Sequence, residues 1–147
     1  MNIQKDTYDI QAVPEEVFEF KNGIPGFEGY TQFVILPQDE HFSIHQSLDD
    51  SNVAFIITDP FIFFKDYEFE LSESDQAQLN ISDSAQIMVR AIVTWGNDLT
   101  KVTANLAAPL VFNLKNKSGK QIVLYPTSYQ SKHPLLGPQT SEESGND

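Results

Sequence analysis

The chain has no cysteine, a single arginine and a single tryptophan in 147 residues, and no long apolar run. Each shortage excludes something. Without thiols there are no disulfides, no zinc–thiolate centres and no cysteine nucleophile, which suits a reducing compartment. A membrane helix needs ~20 apolar residues, so none is expected. The first ten residues, MNIQKDTYDI, lack the basic and apolar regions of a secretory signal. A cytoplasmic location is the expectation that follows. The lone arginine, Arg90, is a poor basis for phosphate recognition, where a bidentate guanidinium is the residue of choice. Twenty-one acidic residues against nine basic ones leave a net charge of −12. Such a field repels nucleic acid and attracts basic protein surfaces, although the same charge also serves plain solubility.

What the chain does have is β-signal. The segment VTANLAAPLVFNLKNKSGKQIVLY, Val102 to Tyr125, reads as two strands joined by a hairpin, with Lys115 to Lys120 as a polar, glycine-containing loop. Pro109 has no N–H for a ladder, so it belongs at a strand start, a bulge or an edge; a bulge at Ala108-Pro109 would re-aim Asn105 and Asn113. Ala85 to Trp95 is the longest strand candidate. Ile87, Val89, Ala91, Val93 and Trp95 fall on one face, the face expected to meet the core. Shorter strands are expected over Asp6 to Ala12, Val17 to Phe20, Gln32 to Leu36, Phe42 to Leu48, Val53 to Thr58 and Tyr67 to Leu71. Asp59-Pro60 reads as a break. One short helix is predicted over Glu73 to Leu79, capped by Ser72. The fold class that results is all-β: a small antiparallel, partly open barrel or sandwich with one short helix. A single domain over 1–132 is expected, followed by a flexible acidic tail over 133–147.

Little in the pattern points to catalysis. His41 and His45 lie four apart on a strand, about 13 Å at ~3.3 Å per residue, too far for one metal ion. No G-x-S-x-G is present. The loop Asn22 to Tyr30 spaces its glycines G-x-x-G-x-x-G, which is not the dinucleotide fingerprint. Glu68 and Glu70 share a strand face that is expected to be solvated. No metal, cofactor or catalytic residue is expected. A small-ligand barrel, or a hydrolase using an acidic dyad such as Glu28 and Asp59, remains open on the residues alone.

An ordered set of segments resembles one family over nearly the whole chain, about Phe20 to His133. The set comprises Phe20-Lys21-Asn22-Gly23-Ile24-Pro25-Gly26-Phe27-Glu28, Gln46-Ser47-Leu48-Asp49-Asp50, Phe55 with Asp59-Pro60, and Asp66-Tyr67-Glu68-Phe69-Glu70-Leu71. It continues with Asn105-Leu106-Ala107-Ala108-Pro109-Leu110-Val111 and Gly119-Lys120-Gln121-Ile122-Val123-Leu124. Together these are similar to the flagellar assembly factor FliW family. His45 departs from the pattern, since an aliphatic residue is expected before Gln46-Ser47; pointing inward, it needs a partner. The resemblance implies a binding protein of the flagellar assembly machinery rather than an enzyme. Its implied partners are the translational regulator CsrA and, alternatively, flagellin, with no direct nucleic acid and no membrane. Bound to CsrA, such a protein relieves repression of flagellin mRNA. The candidate partner-binding residues are Gly23, Ile24, Pro25 and Phe27 with Asn105, Leu106 and Pro109. Glu68 and Glu70 are the candidate electrostatic face.

Overall fold

The structure, a computed structural model, describes residues 1–4, 16–83, 86–97 and 101–135. The strand expected over Asp6 to Ala12 and the tail from Thr140 to Asp147 lie outside them. The described elements are β1 (Asn2–Gln4), β2 (Val17–Glu19), β3 (Gln32–Pro37), β4 (Phe42–Ser47), β5 (Ala54–Thr58), α1 (Pro60–Phe63), β6 (Glu68–Glu70), α2 (Glu73–Gln78), β7 (Ile87–Thr94), β8 (Thr103–Ala104), β9 (Leu110–Asn113), β10 (Ser118–Gln121) and β11 (His133–Pro134). Strands follow the order β7-β5-β4-β3-β2-β10-β9 and close because β9 pairs back onto β7. The barrel is therefore closed rather than partly open. All of its pairings are antiparallel except the seam between β2 and β10, which is parallel at Glu19 and Ser118. β8 and β11 extend the sheet beyond β7, and β1 pairs with β6 in a separate ribbon. β11 and the buried Leu135 carry the folded unit past residue 132, so His133 is not in the tail.

Closure gives the wall two covered faces. Alternate residues of the barrel strands, including Phe18, Phe33, Ile35, Ile57, Met88, Leu110 and Phe112, form one buried cluster inside the barrel. Ile87, Val89, Ala91 and Val93 point the other way, into a second cluster with Ile3, Tyr67, Phe69, Leu79 and Leu106. The alternation in β7 is as expected, but the single core is not: Phe112 lies in the interior cluster, and Leu124 packs half-buried against the outer one. Trp95 departs further. β7 ends at Thr94, so the pleat no longer dictates its direction, and its side chain is 48% exposed. Two other readings are corrected locally. Asp59-Pro60 starts α1 instead of breaking the chain: the Asp59 carboxylate accepts from the Phe61 N–H at 3.0 Å, and proline suits the first turn. Ser72 caps α2 as expected.

The β9–β10 hairpin turns through Leu114 to Lys117, with Lys117 in the left-handed region at φ 61. Gly119 is not in the turn but inside β10. A Cβ there would sit 2.5 Å from two ring atoms of Phe20. That ring is fully buried and wedged against Phe33, Phe112 and His45, so it has nowhere to move. Gly119→Ala is therefore expected to destabilise the fold by about 1–3 kcal/mol, the usual cost of overpacking a filled core. The urea midpoint measures it, and an unchanged midpoint would mean that the seam has slack.

Candidate functional site

The loop after β2 crosses one end of the barrel. Its turn needs Gly23, whose φ is 69 and whose absent Cβ would lie 2.5 Å from the Glu28 Cα. The turn drives Ile24, only 2% exposed, into the interior cluster. A bond from the Phe27 N–H to the Ile24 carbonyl (2.6 Å) then reverses the chain. Pro25 is exposed. Phe27, 39% exposed, lies edge-on to Phe55 at 5.2 Å. Gly23 and Ile24 thus shape the loop, while Pro25 and Phe27 present its surface.

Pro109 stands directly before the start of β9, and the chain bulges ahead of it by more than one residue. Ala91 and Ile92 of β7 stand opposite five residues, Asn105 to Pro109. The insertion is locked on both sides. The Asn105 N–H donates to the Ile92 carbonyl (2.8 Å), and its side-chain oxygen accepts from the Ala107 N–H (3.1 Å). The Leu106 carbonyl accepts from the Tyr67 hydroxyl at 2.8 Å. Burial, with the Tyr129 ring beside it as a lesser cause, raises the Tyr67 pKa and keeps that hydroxyl a donor. Ala107, Ala108 and Pro109 carbonyls accept from the Leu124 N–H, the Gln121 side chain and the Ile122 N–H. Leu106 and Pro109 are buried, and Asn105 is half-buried. Ile24 and Leu106 enter different clusters on the two sides of the barrel wall. Among the described residues no hydrogen bond or ring contact joins the two segments. The sequence places them as one surface; the structure does not bring them together.

Glu68 and Glu70 lie on the solvent side of β6, either side of the buried Phe69. Asn2 donates to Glu68 at 3.0 Å, and the amino group of Met1 lies 3.6 Å from Glu70. The sequence did not single out a second apolar exposure, where Trp95, Phe42 and Phe63 form a chain of rings beside α1. The one available signal was that Trp95 falls at the end of an alternating run, where direction is least determined.

Against this geometry, comparison with known proteins is decisive. A family model described as "FliW protein" matches residues 3–135. The chain belongs to the FliW family. The flagellar assembly factor FliW of Bacillus subtilis strain 168 is 46% identical over 125 residues, covering 84% of this chain and 87% of that protein. The corresponding protein of Alkaliphilus metalliredigens is 41% identical over 131 residues, covering 87% and 81%. A crystal structure of the flagellar assembly factor FliW superposes with a TM-score of 0.80 at 34% identity, covering 92% of this chain and 96% of that one. These FliW relatives are described as assembly factors, not as enzymes. Among the described residues no helix is long and apolar enough to cross a membrane.

Proposed function

We propose that this chain acts in flagellar assembly by binding, not by catalysis. It engages CsrA to free flagellin mRNA from that regulator, and engages flagellin in alternation. Family membership over residues 3–135 carries the reading. The physical features agree with it. The barrel interior is filled by the rings of Phe18, Phe20, Phe33, His45 and Phe112, which favours partners on the outside over a ligand within. The carboxylates offered as a hydrolytic dyad have local tasks: Glu28 accepts from the Gly26 N–H, and Asp59 caps α1. On the outside, Pro25, Phe27 and the half-buried Asn105 are the accessible members of the candidate contact set, while Gly23, Ile24, Leu106 and Pro109 hold them in place. A body of net charge −12 docked beside a basic RNA-binding surface lowers RNA affinity through its field within about a Debye length, ~8 Å at physiological salt.

The test pairs binding with RNA competition. CsrA and flagellin should each bind the purified chain and displace one another. Glu68→Gln combined with Glu70→Gln should leave CsrA affinity within about twofold, because exposed charges contribute little to binding. It should release RNA from CsrA less well at low salt, and the deficit should shrink at high salt. Failure of both proteins to bind overturns the reading. Full antagonism by the double variant removes β6 from it.

A further inference from the structure

We propose that the aromatic ledge of Phe42, Phe63 and Trp95, with the acidic cleft beside it, docks a segment of another protein that carries a lysine or arginine next to a large apolar residue. Phe42 and Phe63 are half-buried against the outer cluster, and the exposed part of the ledge is Trp95 with the nearby Ile62. Trp95 is 48% exposed and Ile62 46%. The Phe42 and Trp95 rings meet edge-on at 5.3 Å, and Phe63 continues the row at 6.2 Å from Phe42. Tryptophan in such a setting is the side chain most often found to dominate an interface, and contiguous apolar exposure marks interaction sites.

The cleft says what kind of segment fits. It encloses about 320 Å³ and shares His41 and Ile62 with the ledge region. Asp39, Glu40 and Asp59 line it, with Arg90 as its only guanidinium, so carboxylates outnumber cations. Asp39 accepts from the His41 and Phe42 N–H groups, each at 2.9 Å, which holds its carboxyl below the usual range and keeps it charged. Arg90 lies 3.9 Å from Asp59. The rest of the lining is mixed: Ser43, Thr58 and His41 are polar, while Pro37 and Ile62, with the buried Ile35 and Met88, are apolar. Carboxylates beside the exposed Ile62 and the ledge rings suit a long cationic side chain, whose methylenes lie on those apolar groups while its head meets the charges. An acidic segment would be repelled, and so would an anionic membrane surface, given the net charge of −12. A purely apolar ligand would take water from the carboxylates and offer them no positive charge in return. The inference goes beyond the family reading. It concerns a face distinct from the Gly23 to Phe27 loop and from β6, and it holds for any protein that carries such a segment.

Trp95 is the only tryptophan, so its emission reports this face directly. The probes are three synthetic twelve-residue peptides. One interleaves Arg and Lys with Leu and Phe, one replaces the basic residues by Glu, and one keeps the basic residues among Gly and Ser. The first should shift Trp95 emission and saturate; the other two should bind at least about tenfold more weakly, roughly the value of one well-buried contact. Ile62→Ser should weaken the first peptide by roughly tenfold through lost apolar burial. Glu40→Gln, at a side chain that is 84% exposed and leaves the fold intact, should weaken it by up to about fivefold. Glu68→Gln with Glu70→Gln removes twice the charge elsewhere and should change the affinity less than twofold. Thermal melts confirm that each variant is folded. Equal weakening by the β6 pair and by Glu40→Gln would show diffuse attraction and overturn the proposal. So would a basic peptide without apolar residues that binds as tightly, or binding that leaves Trp95 emission unmoved. Because CsrA and flagellin are absent from the assay, its failure and the failure of the family reading are separable.

Discussion

Replacing His45 by leucine is expected to stabilise the protein and to remove much of its sensitivity to acid. His45 is fully buried inside the barrel, and among the described residues neither ring nitrogen has a hydrogen-bond partner. An inward histidine was expected to find such a partner. What it has instead are rings: Phe33 stacked at 4.3 Å and 5°, with Phe20 and Phe112 at 4.9 and 5.6 Å. Desolvation lowers its pKa from 6.5 to about 3, because the cage offers the imidazolium nothing to bond. The unfolded chain takes up a proton near pH 6.5, while the folded one does not until about pH 3. Between those values the unfolded state binds more protons, so stability falls as pH is lowered, by up to ~1.4 kcal/mol per pH unit. Below about pH 3 both states are protonated, and the contribution stops growing. At pH 7 His45→Leu should gain about 1 kcal/mol by removing buried, unpaired polar atoms. At pH 4.5 its advantage should widen by roughly 2–3 kcal/mol. Urea midpoints at the two pH values measure this. Acid effects on the carboxylates are common to both proteins and cancel in the difference. Parallel pH profiles would show that some hidden partner, such as a trapped water, satisfies the ring.

Which parts of this molecule could be seen in its sequence follows from what a local pattern encodes. Alternation in Ile87 to Val93 gives the side of the strand each residue takes, and that was legible. Alternation does not say what covers either side. Met88 on the nominally outer face is as buried as Val89 on the other, because the closed wall has a ring-filled interior on one side and the β1–β6 ribbon packed on the other. The capped helix after Ser72 depends on neighbours in sequence and was legible; the hairpin was legible only in outline, because its second strand is Ser118–Gln121, inside the expected loop, and not Gln121 to Tyr125. Gly119 was misread because its requirement comes from Phe20, about a hundred positions away. The candidate site divides along the same line. Exposed Pro25 and Phe27 and the paired Glu68 and Glu70 follow from loop and strand rules. The burial of Ile24 and Leu106 does not, since each is fixed by a long-range partner, the barrel mouth in one case and the Tyr67 hydroxyl in the other. His45 stands out of place in the sequence, but its surroundings come from β3, β9 and the residue that follows β2.

The largest loss from a single truncation is expected at Asn113. Its carboxamide, 1% exposed, is used at both ends. The nitrogen donates to the Leu79 and Asn80 carbonyls at 2.7 and 3.3 Å, and the oxygen accepts from the Lys115 and Asn116 N–H groups at 2.9 and 3.3 Å. One side chain therefore closes the end of α2 and the turn between β9 and β10 at once. Asn113→Ala removes one of the two side-chain partners of the Leu79 carbonyl and leaves the part-buried N–H groups of the turn without this acceptor. At about 1–3 kcal/mol for a buried group left unsatisfied, and less for groups that water reaches, a total near 2–3 kcal/mol is expected. Asn116→Ala provides the scale. Asn116 is exposed and also reaches the Leu79 carbonyl, at 3.1 Å, so losing it should cost less than about 1 kcal/mol. Urea unfolding gives both values, and amide exchange at Lys115 and Asn116 should quicken in the Asn113 variant alone. None of Asn113's partners lines the acidic cleft. At a temperature where the variant is still folded, its affinity for a basic, apolar peptide should therefore match that of the parent chain. A coupled loss of both would mean that α2 and the barrel mouth move together, and that the clamp at Asn113 sets the geometry of the docking face as well as its stability.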